Sequence, residues 1–301
     1  MSAAPAVELT GVVKRFGDTT AVDGVSLSVP PGSIFGLLGP NGAGKTSAIR
    51  MMLQITLPDE GTIRVLGDPV ERLRTDRIGY LPEERGLYKK MRVGDLLTFF
   101  GEIKGLRRSD ARERALAWLE RLGLAETVAK KTEELSKGMQ QKVQFITTVI
   151  HEPDLIILDE PFSGLDPVNT NVLKDIILEY RRRGHTVVFS THMMEQVEKL
   201  CEHICLIDRG RVVLEGTLAS VKARYGRGGV SLRFDGDGSF LRDLPAVESL
   251  MDHGNEVFVR LRDGARPEEL LEAARGRVTI RKFEVAEPSI HDIFLELVGK
   301  G

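Results

Sequence analysis

Ile34-Phe35-Gly36-Leu37-Leu38-Gly39-Pro40-Asn41-Gly42-Ala43-Gly44-Lys45-Thr46 is the stretch that decides how this chain folds. The five residues from Ile34 to Leu38 read as a short strand, and a helix is expected from about Gly44 to Leu53. Between them the spacing G-x-x-x-x-G-K-T is that of a phosphate-binding loop, the P-loop. Glycines let backbone N–H groups curl around phosphates, and the helix opening there adds its positive end. Lys45 is suited to reach the β and γ phosphates, and the Thr46 hydroxyl to hold Mg²⁺. Gly39, Pro40, Asn41, Gly42, Ala43, Gly44, Lys45, Thr46 and Ser47 are therefore candidate nucleotide-binding residues.

Downstream, Leu155-Ile156-Ile157-Leu158-Asp159-Glu160 is a second apolar strand, ending in two acids. Asp159 is placed to hold Mg²⁺, directly or through water, and Glu160 to take a proton from an attacking water. A further apolar strand is expected at Thr186–Ser190, with a helix over Thr170–Arg182 between the two. Continuous apolar strands joined by a helix indicate a parallel sheet covered on both faces. Upstream, Val7–Val13 and Val25–Val29 alternate as antiparallel strands, followed by a Pro30-Pro31-Gly32 turn; Thr62–Leu66 and Ile78–Leu81 read as further short strands. The region from about Tyr88 to Glu152 is helical in pattern, with Ala115, Trp118, Leu119 and Leu122 on one face. Trp118, Phe99 and Phe100 are expected to pack in the core. Ile204–Asp208 and Val212–Glu215 form a hairpin turning at Arg209-Gly210, and residues 225–229 have the composition of a linker. Beyond it, strands at Val230–Phe234, Val247–Met251, Glu256–Leu261 and Val278–Ala286, with helices near Phe240–Leu244, Pro267–Arg275 and Ser289–Val298, suggest a βαββαβ appendage of ferredoxin-like type.

Composition narrows the function. Apolar residues at 42% and charged residues at 29% belong to a folded globular chain. A formal net charge of -2 gives no overall attraction to nucleic acid or to an acidic membrane surface. No apolar run approaches the ~20 residues of a spanning helix, and no secretory signal opens the sequence, so a soluble cytosolic chain is expected. Cys201 and Cys205, with His203 between them, fall one ligand short of a closed metal site and read as small buried hydrophobes at a helix-to-strand junction.

The deciding family landmark is Leu135-Ser136-Lys137-Gly138-Met139-Gln140-Gln141-Lys142, upstream of the acidic strand. With it the chain resembles the ATP-binding-cassette (ABC) family over about residues 6 to 222. The family signature is Leu-Ser-Gly-Gly-Gln, so Lys137 replaces the first glycine and Met139 the glutamine. The resemblance implies that Phe16 stacks on adenine and that Ser136 and Gly138 touch the γ-phosphate held by the opposite subunit. It also implies that Asp166, in Ser163-Gly164-Leu165-Asp166, crosses the dimer interface and that His192 senses the γ-phosphate. Glu83 stands where the family usually has a glutamine near Mg²⁺ and the membrane partner. The Pro82–Tyr88 wording and Glu287–Phe294 resemble sodium-export-type and drug- or antibiotic-resistance-type exporters.

The expected architecture is accordingly an α/β P-loop ATPase cassette over residues 1–222. It has a RecA-like parallel core, an antiparallel β part and a helical subdomain near 88–152, with a small α+β accessory domain over 223–301. The resemblance implies an ATPase using ATP and Mg²⁺, with Lys45, Glu160 and His192 as catalytic residues. It implies a homodimer, or a heterodimer with a second cassette, at the inner face of the cell membrane on a permease of separate chain, with no nucleic-acid partner. The competing class is a soluble cassette ATPase acting on ribosomes or DNA, which commonly carries two cassettes or long insertions. A P-loop kinase or GTPase leaves the signature and His192 without explanation.

Overall fold

The structure, a computed structural model, describes residues 4–84, 86–225, 229–252, 256–262, 264–285 and 289–298. Two compact units emerge, one of Met1–Met193 with Leu200–Glu215, the other of Met194–Lys199 with Gly216–Gly301. Arg85, residues 226–228 of the expected linker, and Glu287 and Pro288 of the exporter-like wording lie outside the described residues.

The first unit opens with β1 (Val7–Phe16) and β2 (Thr19–Val29), both longer than their alternation suggested. They pair antiparallel, with Leu9 opposite Leu27. β3 (Ile34–Leu38) and α1 (Lys45–Met52) follow, then β4 (Glu60–Val65), β5 (Asp68–Pro69) and β6 (Ile78–Leu81). The long helical stretch resolves into α2 (Val93–Ile103), α3 (Arg108–Arg121) and α4 (Lys137–Val149). β7 (Leu155–Asp159), α5 (Pro167–Arg182), β8 (Thr186–Thr191), β9 (His203–Asp208) and β10 (Arg211–Thr217) complete the series, with α6 (Met194–Leu200), most of which belongs to the second unit, between β8 and β9 in the chain.

One sheet runs β2-β1-β4-β5, and a six-stranded one runs β10-β9-β3-β8-β7-β6. β3, β6, β7, β8 and β9 pair in parallel, as the continuous apolar strands required. α1 is the shared filling: Ile49, Met51 and Met52 lie in one cluster with Leu9, Val25 and Leu27 of the antiparallel sheet and Leu37, Ile157 and Val188 of the parallel one. Each such fully buried side chain contributes about 1.5–3 kcal/mol relative to exposure. That packing fixes the start of α1, and with it the loop that precedes it. The β9–β10 turn takes left-handed dihedrals at Arg209 (φ 47) and Gly210 (φ 79), as a two-residue hairpin of the twist-matching type needs.

Phe99 corrects an expectation. α2 buries Val93, Leu96, Leu97 and Gly101, and Phe99 falls off that stripe and is 41% exposed. Its ring meets Tyr88 and Phe100 instead, at centroid distances of 6.1 and 5.8 Å. Trp118 is half-buried with its ring edge-on to Phe145.

The second unit holds most of α6, then α7 (Leu218–Tyr225), β11 (Gly229–Asp235), β12 (Val247–Asp252), β13 (Glu256–Leu261), α8 (Pro267–Ala274), β14 (Thr279–Val285) and α9 (Ile290–Val298). α6 is the helix implied before Cys201, whereas α7 was not expected, and the division expected at 222/223 falls inside α7. The sheet order β12-β13-β11-β14, with antiparallel pairings, is that of the expected ferredoxin-like connectivity. The first expected helix is only a 3₁₀ turn at Ser239–Asp243, which sinks Leu241 into the core beside Leu270 and Ala274 of α8. Among the described residues no helix is long and apolar enough to cross a membrane.

Candidate functional site

Strand register builds the site. Leu38 is level with Thr191, and Asp159 with Ser190, so Gly39, Glu160 and His192 leave three neighbouring strands at one edge of the sheet. That is the C-terminal edge, where open α/β sheets place their ligands. The loop from β3 to α1 is tightly enclosed. Gly39 (φ 151) and Gly44 (φ 104) have left-handed dihedrals, and a Cβ on either would run into a backbone carbonyl, of Ile207 and of Ala21 respectively. The loop frames a cavity of about 280 Å³ lined by residues 41–47 together with Ala21, Glu83 and Glu160. Lys45 is buried there. Its Nζ donates to the carbonyls of Gly39 (2.7 Å) and Pro40 (3.1 Å) and stands 3.5 Å from Glu160 Oε1.

The two acids are held by one hydroxyl. Ser190 Oγ accepts from the Glu160 N–H at 3.0 Å and donates to Asp159 Oδ1. Glu160 adopts φ 49, an uncommon conformation for a residue with a side chain, which turns it back over the loop. His192 Nδ1 lies 3.0 Å from Glu160 Oε2. Asp159 Oδ2 and Glu160 Oε1 are buried without a hydrogen-bond partner. Buried carboxylate oxygens left this way are costly unless a cation or donor arrives. The donor set of Thr46, Glu83 and Asp159 is all oxygen, which suits Mg²⁺. Burial pushes the nearby Tyr80 hydroxyl up to about 12, aided by the negative charge of Asp159.

The signature residues lie elsewhere. Ser136 caps α4 by accepting from the Met139 N–H at 3.3 Å, and Lys137 opens the helix exposed. Asp166 caps α5 by accepting from the Asn169 N–H, which holds its carboxyl below the usual carboxylate range. Ser136, Gly138, Asp166 and Phe16 do not line the cavity. Phe16 ends β1 half-exposed, with Lys14 Nζ 5.5 Å from its ring centre.

Sequence reading missed the tethers. Gln141 Nε2 donates to the Pro161 and Ser163 carbonyls, and Gln144 Nε2 to that of Glu84 at 3.1 Å. One helix thereby ties the segment after Glu160 to the segment carrying Glu83. Two buried glutamines three apart on the signature helix were a readable signal. Ser190, at the end of an apolar strand, offered none.

The ABC transporter family profile matches residues 22–163, and that of the C-terminal domain of DrrA1-3-like ATP-binding proteins matches residues 216–298. The chain is 44% identical to the uncharacterized ABC transporter ATP-binding protein YhaQ of Bacillus subtilis, covering 96% of this chain and 97% of that one. It is 36% identical to the Nod factor export ATP-binding protein I of a Rhizobium species, over 98% of this chain and 97% of the relative. A solved structure of an ATP-binding subunit of an ABC transporter superposes with a TM-score of 0.69 at 27% identity, covering 73% of this chain and 93% of that one. Phosphate loop, acid-ended strand and signature helix thus share one fold with proteins alike along almost their whole length. The chain belongs to the ATP-binding subunits of ABC transporters, an ATP-hydrolysing family that powers transport.

Proposed function

We propose that this subunit dimerises around two ATP molecules and drives export through a permease on a separate polypeptide, docked at the inner face of the cell membrane. The observation that carries the dimer is the cavity itself: residues 41–47, Glu83 and Glu160 line it, whereas Ser136 and Gly138 do not. A second copy supplies them from outside. The export direction is supported by the Nod factor export relative.

In this reading ATP phosphates draw Lys45 Nζ away from the Gly39 and Pro40 carbonyls, while the loop N–H groups and the start of α1 take the negative charge. Thr46, Asp159 and Glu83 would hold Mg²⁺, which would supply positive charge against the phosphates. Glu160 accepts the proton of a water whose oxygen bonds to the γ-phosphorus as the bond to the β–γ bridging oxygen breaks. His192 orients Glu160 through the 3.0 Å contact and senses the γ-phosphate. Phe16 stacks on adenine, and Asp166 lies at the dimer interface. The accessory C-terminal unit leaves the nucleotide site to the cassette.

Light scattering tests the dimer. With ATP and Mg²⁺, Glu160→Gln protein should double in mass, and the same protein with Ser136→Arg should remain a monomer. A Glu160→Gln chain that binds ATP yet stays monomeric, alone and with its permease, refutes the sandwich.

A further inference from the structure

The net charge of -2 conceals a basic groove on the helical part of the first unit. A cavity of about 360 Å³ opens where α2 and α3 begin, and Arg92, Arg108 and Arg112 line it with Asp95 as the single acid. Among the described residues, Arg92 and Arg112 make no ion pair, and Arg108 has only Glu102 at 3.9 Å. The backbone brings Lys130 and Lys131 next to Arg92, together with the Glu134 carboxylate, which accepts from the Lys131 N–H. Arg92 pairs with Lys131 in an isolated β-bridge, and the Val93 N–H donates to the Lys130 carbonyl. All five cations are exposed.

Their placement runs against local electrostatics. Arg92 is the residue before α2, Arg108 the first residue of α3, and Arg112 follows four later. Cations at a helix N-terminus oppose the helix dipole, and like charges four apart on a helix repel. Asp95 and Asp110, in the first turns of the same helices, offset part of that cost, and an anion among the guanidiniums would offset more. Planar guanidiniums converging on one cavity match the oxygens of a phosphate group. At about 30 Å³ per water, the groove has room for on the order of ten waters, ample for a phosphate and its substituents.

We propose that this groove binds a phosphate-bearing anion through Arg92, Arg108 and Arg112, at a site separate from the ATP loop. Two sources carry that chemistry, the headgroup of an anionic phospholipid and free phosphate.

The test uses the full chain with its nucleotide site saturated by ATP. One arm measures flotation with vesicles of phosphatidylglycerol in phosphatidylcholine against phosphatidylcholine alone; the other titrates inorganic phosphate calorimetrically. Each cation near an anionic surface is worth about fivefold in binding, so Arg92→Gln/Arg108→Gln/Arg112→Gln should lose roughly a hundredfold in the vesicle arm. ATP turnover, retained at the wild-type rate, reports that the variant is folded. Should the triple variant not fold, Arg112→Gln alone, at an exposed position, should still lose about fivefold. Loss in the vesicle arm assigns a headgroup, and loss in the phosphate arm alone assigns a free phosphate. Unchanged binding in both arms, or no binding by the wild type in either, overturns the site.

Discussion

The nucleotide site of the first unit and the sheet of the second hold their carboxylates differently. At the end of β7 the cassette leaves Asp159 Oδ2 buried and unbonded, and holds Glu160, whose Oε1 makes no hydrogen bond and has Lys45 Nζ only at 3.5 Å, in a left-handed conformation. On the C-terminal sheet three carboxylates are closed into pairs with strand arginines: Glu256 with Arg233, Asp235 with Arg281, and Glu296 of α9 with Arg260. An unsatisfied buried acid is a cost that packing elsewhere must offset, and it persists where a ligand or a reaction uses it. A closed pair has no further task. The difference separates a region organised for chemistry from one organised to hold its own shape.

The strongest way to break that comparison is Glu160→Gln. The amide keeps size and polarity and cannot take the water's proton, so ATP turnover should fall about 10²–10⁴-fold, equivalent to about 3–5 kcal/mol of barrier. ATP affinity should stay within a few-fold, because Lys45 and the loop remain. Phosphate release and equilibrium nucleotide binding measure the two quantities separately. Wild-type turnover would remove Glu160 from the role of base.

What was legible in the sequence follows from how chemistry is written along a chain. The phosphate loop needs closely spaced glycines and Lys45, and the acids need a strand end, so both stood out from spacing alone. The register that sets Gly39, Glu160 and His192 side by side follows from parallel pairing, which apolar runs announce. Ser190 was hidden because one hydroxyl at the end of an apolar strand has no pattern to belong to. α7 has eight residues, too few for a helical period to show above the noise of neighbouring strands. Phe99 was misplaced because an aromatic residue suggests core while the stripe of α2 excludes it.

A second, smaller test concerns His151, another cassette group left unsatisfied. It is buried, its Nε2 is 3.2 Å from the Ile78 carbonyl, and its Nδ1 has no partner. Burial pushes its pKa down to about 4, with the charge of Lys104 adding to the shift. The unfolded chain therefore binds the proton first. Stability is full above the unfolded value of about 6.5 and is lost as pH falls from there toward about 4. Between pH 7 and pH 5 the cassette should lose about 2 kcal/mol on this account. Trp118 is the only tryptophan and lies in the cassette, so its fluorescence in urea reports that unit. His151→Gln keeps a donor without a titration and should remove most of the pH slope. An unchanged slope would assign it to other groups.

The smallest effect is expected in the C-terminal sheet, and its smallness is the point. Arg233 and Glu256 face each other across β11 and β13, and Glu256 also accepts from Ser231 Oγ. The Arg233 hydrogen bond, then that of Ser231, holds the Glu256 carboxyl below its usual range. Its stabilisation is thus present above the unfolded carboxylate value of about 4.3 and fades only as pH falls through the lower folded value, well below the window of His151. Both side chains reach solvent, where an ion pair gains little over its hydration. Arg233→Leu should change hydrogen-exchange protection of the β11 and β13 amides by at most about fivefold. In 1 M salt, where the Debye length is about 3 Å, even that difference should shrink. ATP turnover should not change, since the pair touches nothing at the loop. A hundredfold loss of protection, or any fall in turnover, would mean that the closed pairs of the second unit act on the site the first unit holds open.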